Sequence, residues 1–86
     1  MPEISRFFGI IISMYFDEHN PPHFHARYGN DYVAIEISSL RIIEGKFLPR
    51  ALGLVMEWAS QHVEELMCNW EAARKDQPLS KIKPLV

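Results

Sequence analysis

The chain has 86 residues, is 48% hydrophobic and carries a formal charge of −2. That length suits one domain with one modest core, read as residues 1–86, and is too short for two. The apolar fraction excludes a disordered chain, and the near-neutral charge leaves no broad basic footprint for nucleic acid, so RNA is an option that the charge does not support. Cys68 is the lone cysteine, so neither an internal disulfide nor a cysteine-based zinc cage is available. As a small apolar side chain it is expected to be buried.

Residues 5–17 read as a first strand, because "FFGIIISMYF" is dense in β-branched and aromatic residues. Ile10, Ile12, Met14 and Phe16 fall on one face, Ile11, Ser13, Tyr15 and Asp17 on the other. Its longest apolar run is far below the ~18 residues of a membrane span, and no basic segment or small-residue cleavage site marks a signal peptide. The expectation is a soluble cytoplasmic protein with no membrane contact. "NPP" at 20–22 then imposes a turn, since Pro21 and Pro22 fix φ and lack N–H groups.

"HFHARY" at 23–28 alternates: Phe24, Ala26 and Tyr28 point one way, His23, His25 and Arg27 the other. "GND" at 29–31 signals a hairpin turn. "YVAIEIS" at 32–38 reads as a third strand and "LRIIEGKF" at 40–47 as a fourth. From Pro49 the period changes. Leu52, Val55, Ala59, Val63, Leu66, Trp70 and Ala73 recur at three and four, predicting one amphipathic helix over 49–75. Trp58 and Trp70 belong to its core side, His62 to its margin, and Asn69 is expected to bond a neighbouring loop. Pro78 ends the helix, and residues 76–86 should dock back through Leu79, Ile82 and Leu85. The fold class expected is α+β: a four-stranded antiparallel sheet over 1–47 with one long helix on one face, ββββα. The uncovered sheet face suggests a partner or a homodimer.

If the two-proline turn makes a hairpin, matching the apolar faces gathers Tyr15, Asp17, His19, His23, His25 and Arg27 on the opposite face, where Glu36 can join them. Three chemistries are open to such a group. His19, His23 and His25 are candidate ligands for a divalent metal such as zinc, with Asp17 or Glu18 as an orienting carboxylate. The same histidines, with Tyr15, Asp17 and Arg27, are candidate catalytic residues for general acid–base chemistry. The bland alternative is a polar sheet surface or a protein interface.

The stretch "MPEISRFFGIIISMYFDEHNPPHFHARYG" resembles the opening of a family of small prokaryotic proteins titled a domain of unknown function, whose signature is an ISRF-x-G-I run followed by HNPPHFH. The likeness continues through "LPRALGLVMEWASQHVEELMCNWEAAR" to "PLSKIKPL". Many relatives have Asp directly before the first histidine, where this chain has Glu18. Some members are labelled the DhiT-like toxin of a type II toxin–antitoxin system. The resemblance therefore implies a toxin-like component of a two-gene module, with a small antitoxin-like protein as its cognate partner. It brings no catalytic residues with it. A metal-binding module without toxicity, or a pure interaction domain, remain the alternatives.

Overall fold

Gly9 decides the first element. In the computed structural model, which describes residues 2–16 and 18–85, Phe8 and Gly9 take φ of 51° and 79°. Two consecutive positive φ values are what a type I′ hairpin turn requires. The run expected as one strand is therefore two, β1 (Glu3–Phe7) and β2 (Ile10–Ser13), paired antiparallel. β3 (His23–Tyr28), β4 (Asp31–Glu36) and β5 (Ile42–Lys46) follow close to where the sequence puts them. The β3–β4 loop is Gly29–Asn30, with Gly29 at φ 60°, as the first central position of a type II′ turn demands.

The helical half also departs from expectation. α1 (Pro49–Ser60) and α2 (Val63–Arg74) replace the single helix of 49–75. Ser60 turns its hydroxyl back to donate to the Glu57 carbonyl, and the N–H groups of Gln61 and His62 reach only three residues back, to Trp58 and Ala59. Those short bonds tighten and end the last turn. His62 at φ −134° is not helical, and Glu64 and Glu65 then sit at the new N-terminus, where the helix dipole favours them. Four strands and one helix are thus corrected to five strands and two helices among the described residues, the sheet running β1-β2-β3-β4-β5 with every pairing antiparallel.

One sheet face and the helices make the core. Ile10, Ile12, Met14, Phe24, Val33 and Ile35 meet Val55, Trp58, Leu66 and Trp70, all at 1% exposure or less. Tyr28, expected inward, lies at the strand end and is 39% exposed; Cys68, expected buried, is exposed on α2. The tail is tied to the helices. Asn69 donates to the Ser80 carbonyl (2.9 Å) and accepts from the Ser80 N–H (2.8 Å), while Trp58 Nε1 donates to the Lys83 carbonyl and Ile82 is buried. Among the described residues no helix is long and apolar enough to cross a membrane.

β5 carries a bulge. Ala34 faces Glu44 but Ile35 faces Ile42, so Ile43 is the extra residue, and Gly45, two residues on, has φ 80°. A Cβ on Gly45 would overlap the Tyr32 carbonyl oxygen of β4. Gly53 in α1 has open space around it and an ordinary φ. Gly45→Ala should therefore cost at least about 2 kcal/mol, from positive φ and steric overlap together, whereas Gly53→Ala should add roughly 0.5–1 kcal/mol of helix propensity. Urea unfolding of the two variants reads both signs, and a Gly45→Ala midpoint equal to wild type would contradict the close approach of the Tyr32 carbonyl to Gly45.

Candidate functional site

The strand register builds the site. β3 is the middle strand, and its His25 lies in a cross-strand row with Ser13 of β2, Ala34 of β4 and Glu44 of β5. Period-2 alternation sends that row away from the core. Ser13, His25 and Ala34 are nonetheless buried, at 3–7% exposure. The cover comes from Tyr15, whose ring meets His25 edge-on with centroids 4.5 Å apart, and from Tyr32, stacked on it at 5.6 Å. His25 is thus enclosed, not a residue of an open sheet surface.

His23, two residues earlier on the same side, is half-buried. Its ring lies 5.0 Å from that of His25 and 5.3 Å from that of Trp70 in α2. The turn that enters β3 contains a cis Asn20–Pro21 peptide. It brings the Pro21 carbonyl within 2.7 Å of His23 Nδ1 and Glu18 Oε1 within 2.7 Å of His23 Nε2. The same Oε1 is 3.1 Å from His25 Nε2. On its other side His25 Nδ1 is 3.0 Å from the Tyr32 hydroxyl, which donates to Glu44 Oε1 at 3.2 Å. One carboxylate oxygen therefore meets two imidazole nitrogens, and each imidazole is gripped from behind. Among the described residues Glu18, His23 and His25 form a group whose ligand atoms all lie within 4.8 Å of one another, which is close enough to hold one metal ion.

Of the sequence candidates, the structure brings His23, His25 and Tyr15 together. His19 is exposed at the rim of the site. Arg27 is exposed one strand step beyond His25. Asp17 lies outside the described residues. Glu36 faces His23 across the β3–β4 ladder, but its carboxylate is taken by Ser38, Ser39 and Arg41. Glu18, anticipated only as an orienting group, is the hub. Tyr32 and Glu44 were not anticipated. Tyr32 was reachable: a two-residue Gly29–Asn30 loop fixes Arg27 opposite Tyr32, and so puts Tyr32 diagonal to His25. Glu44 depends on the bulge, which the sequence hints at only through Gly45.

The electrostatics follow from the enclosure. Burial pushes the His25 pKa below that of a free imidazole, against the pull of Glu18 and Glu44. Partial burial works to raise the Glu18 pKa, yet the close approach of the His23 and His25 rings outweighs that and holds it below the usual carboxylate range. Burial, then Glu44, push the Tyr32 hydroxyl up to about 12, so it keeps the proton it gives to Glu44. A cleft of about 250 Å³ opens onto Glu18 and His23, with His19, Ile43 and Glu44 on its walls.

A model of a family described as a domain of unknown function, DUF4160, matches residues 9–71. No curated protein and no solved structure matches the chain.

The His25 shift fixes a sign. The unfolded chain takes up a proton at this residue near pH 6.5, where the folded chain resists it, so acidification favours unfolding. The stability from a neutral His25 is complete above that pH and is lost as pH falls below it; Glu18 adds a further loss below its ordinary value of 4.5. In metal-free buffer the urea midpoint should therefore fall from pH 7.5 to 5.5, and fall less in His25→Gln. An equal fall in both proteins would remove His25 as the cause.

Proposed function

The chain belongs to the DUF4160 family of domains of unknown function, whose model spans residues 9–71, and from that premise we propose that it is the toxin-like component of a two-gene module, with Glu18, His23 and His25 as its working site. The observation that carries the choice of site is the convergence of His23 Nε2 and His25 Nε2 on one Glu18 oxygen beside an open cleft. Enclosing polar and titratable groups costs free energy unless every partner is supplied, and the core on the other sheet face gains nothing from it. Titratable groups gathered with shifted pKa values at a cleft are characteristic of reactive sites. The two-gene reading and its small antitoxin-like partner rest on the sequence resemblance. The cytoplasm, with no membrane contact, is the compartment consistent with both.

A second reading is a protein-interaction domain without chemistry. It is favoured by Phe8, Leu48 and Tyr28, which stand 59%, 55% and 39% exposed around a second, more apolar cleft. A small partner protein, or a second copy, is the occupant this reading expects.

Inducing the gene alone should arrest growth, and co-inducing the neighbouring gene should relieve the arrest. His23→Ala and Glu18→Gln should weaken the arrest by about 100-fold in surviving colonies, the scale of a lost acid–base group, with the fold intact by circular dichroism. No arrest, and no complex between the two gene products, would dispose of the toxin reading. Arrest that persists in both variants would move the working site elsewhere.

A further inference from the structure

A proton count at the cluster points to a cation. The Pro21 carbonyl can only accept, so His23 Nδ1 carries the hydrogen at their 2.7 Å contact. The Tyr32 hydroxyl has one proton and gives it to Glu44, so at its 3.0 Å contact with His25 it accepts, and His25 Nδ1 carries the hydrogen there. Each neutral imidazole then has its lone pair on Nε2. Those two lone pairs face each other's neighbourhood and the Glu18 carboxylate, which is also an acceptor. Three acceptor atoms within 4.8 Å, with both back-side hydrogens spoken for, lack a positive centre between them. One added proton serves a single Nε2–Glu18 contact. A metal ion serves all three atoms.

We propose that Glu18, His23 and His25 form a three-ligand site for a first-row divalent transition-metal ion, a site that deepens the reading above and rests on it only for its bearing on growth. Two imidazoles and one carboxylate suit zinc, iron, nickel or copper, whereas calcium and magnesium select all-oxygen sets. Each histidine has the back-side partner that metal-bound imidazoles need to fix tautomer and ring angle: Pro21 for His23, and the Tyr32–Glu44 pair for His25.

The dimensions fit after a small movement. Bonds of ~2.1 Å in tetrahedral arrangement hold ligand atoms ~3.4 Å apart. Glu18 Oε1 now lies 2.7 and 3.1 Å from the two nitrogens. The two imidazole nitrogens, within 4.8 Å of one another, have to close toward that spacing, and Glu18 Oε1 has to withdraw by less than about 1 Å. The Glu18 side chain is 33% exposed and sits on the loop before β3, so it can move, while the central strand holds the backbone beneath the two histidine rings. The arginine ion pairs among the described residues, Arg6 with Glu3 and Arg41 with Glu36, involve no member of the cluster, so no cation competes. The cleft reaches Glu18 and His23, so an ion held there would be open to water or a ligand from that side. Three protein ligands with an open position are the pattern of a catalytic site, not of a closed structural one.

The test uses the full chain, purified without a His tag and stripped with chelator, titrated with zinc chloride by calorimetry and followed by thermal unfolding. One zinc per chain and a raised thermal midpoint are expected. Glu18→Gln and His23→Ala should abolish that binding, Tyr32→Phe should weaken it roughly 10- to 100-fold through the loosened His25 ring, and His62→Ala should leave it unchanged. Glu18→Gln is nearly isosteric and on a loop, so it reports binding even where a histidine variant misfolds. No zinc bound by the wild type, or binding that survives Glu18→Gln and His23→Ala, overturns the site. The two readings separate cleanly. Growth arrest that needs His23 in a protein that binds no zinc removes the metal and keeps the working site. Zinc binding with undiminished arrest in Glu18→Gln keeps the metal and removes its role in arrest.

Discussion

The alternation of β3 is the constraint on which the molecule depends. This strand is third of five, so it is hydrogen-bonded on both edges and cannot slip by one residue without turning itself inside out. Phe24 and Ala26 go to the core at 0% and 1% exposure. His23 and His25 are thereby committed to the other side. In a chain of 86 residues that has one apolar core, this is an economical way to hold two imidazoles rigidly. The energy that fixes them comes from Phe24 against Trp58 and from ladders on both edges, not from the histidines themselves. A site carried on the stiffest strand has little freedom to be imprecise.

Helix α2 reaches the same site from the core side. Trp70 is 1% exposed and packs its ring 5.3 Å from that of His23. Two residues of α2 face the tail and the site in turn: Asn69 clamps Ser80 through two hydrogen bonds, and Trp70 backs His23. The position of the tail, the seating of α2 and the angle of one imidazole are therefore linked. The break at Gln61–His62 frees α2 to take this seat independently of α1. His62 fills the corner, with its ring 5.5 Å from Trp58 and its Nδ1 against Glu65.

What was legible in the sequence was whatever periodicity carries. The faces of β3 and β4, the gathering of His23 and His25, the core tryptophans and the bond of Asn69 to the returning tail all follow from spacing and turn chemistry. What was missed lies where a period continues through a break. Ala59 and Leu66 are seven apart and both fully buried, so the apolar stripe stays in phase across two non-helical residues and hides the end of α1. At Phe8–Gly9 the apolar residues on each side are alike, and an exposed Phe in the left-handed region is too rare to expect. The carboxylate hub was misjudged for another reason. Glu18 lies in a loop, where no alternation dictates direction, and only the path around Pro21 and Pro22 aims it at His23 and His25.

The bulge in β5 shows how far a single atom's absence can travel. Without a Cβ, Gly45 lets the Tyr32 carbonyl approach as no other residue would allow. The extra residue, Ile43, is left out in solvent, and Glu44 is placed opposite Ala34, beside Tyr32. Glu44 then accepts a hydrogen bond from the phenolic hydroxyl, and that hydroxyl, its one hydrogen engaged, accepts from His25. The chain of consequence ends at which nitrogen of His25 presents a lone pair to Glu18. Were Glu44 displaced, Tyr32 would be free to donate to His25 Nδ1. The imidazole would then take the opposite tautomer and satisfy Glu18 with a hydrogen. The bulge, which contributes nothing to the core, thus decides whether the cluster is a closed hydrogen-bond network or an open set of donors to a cation.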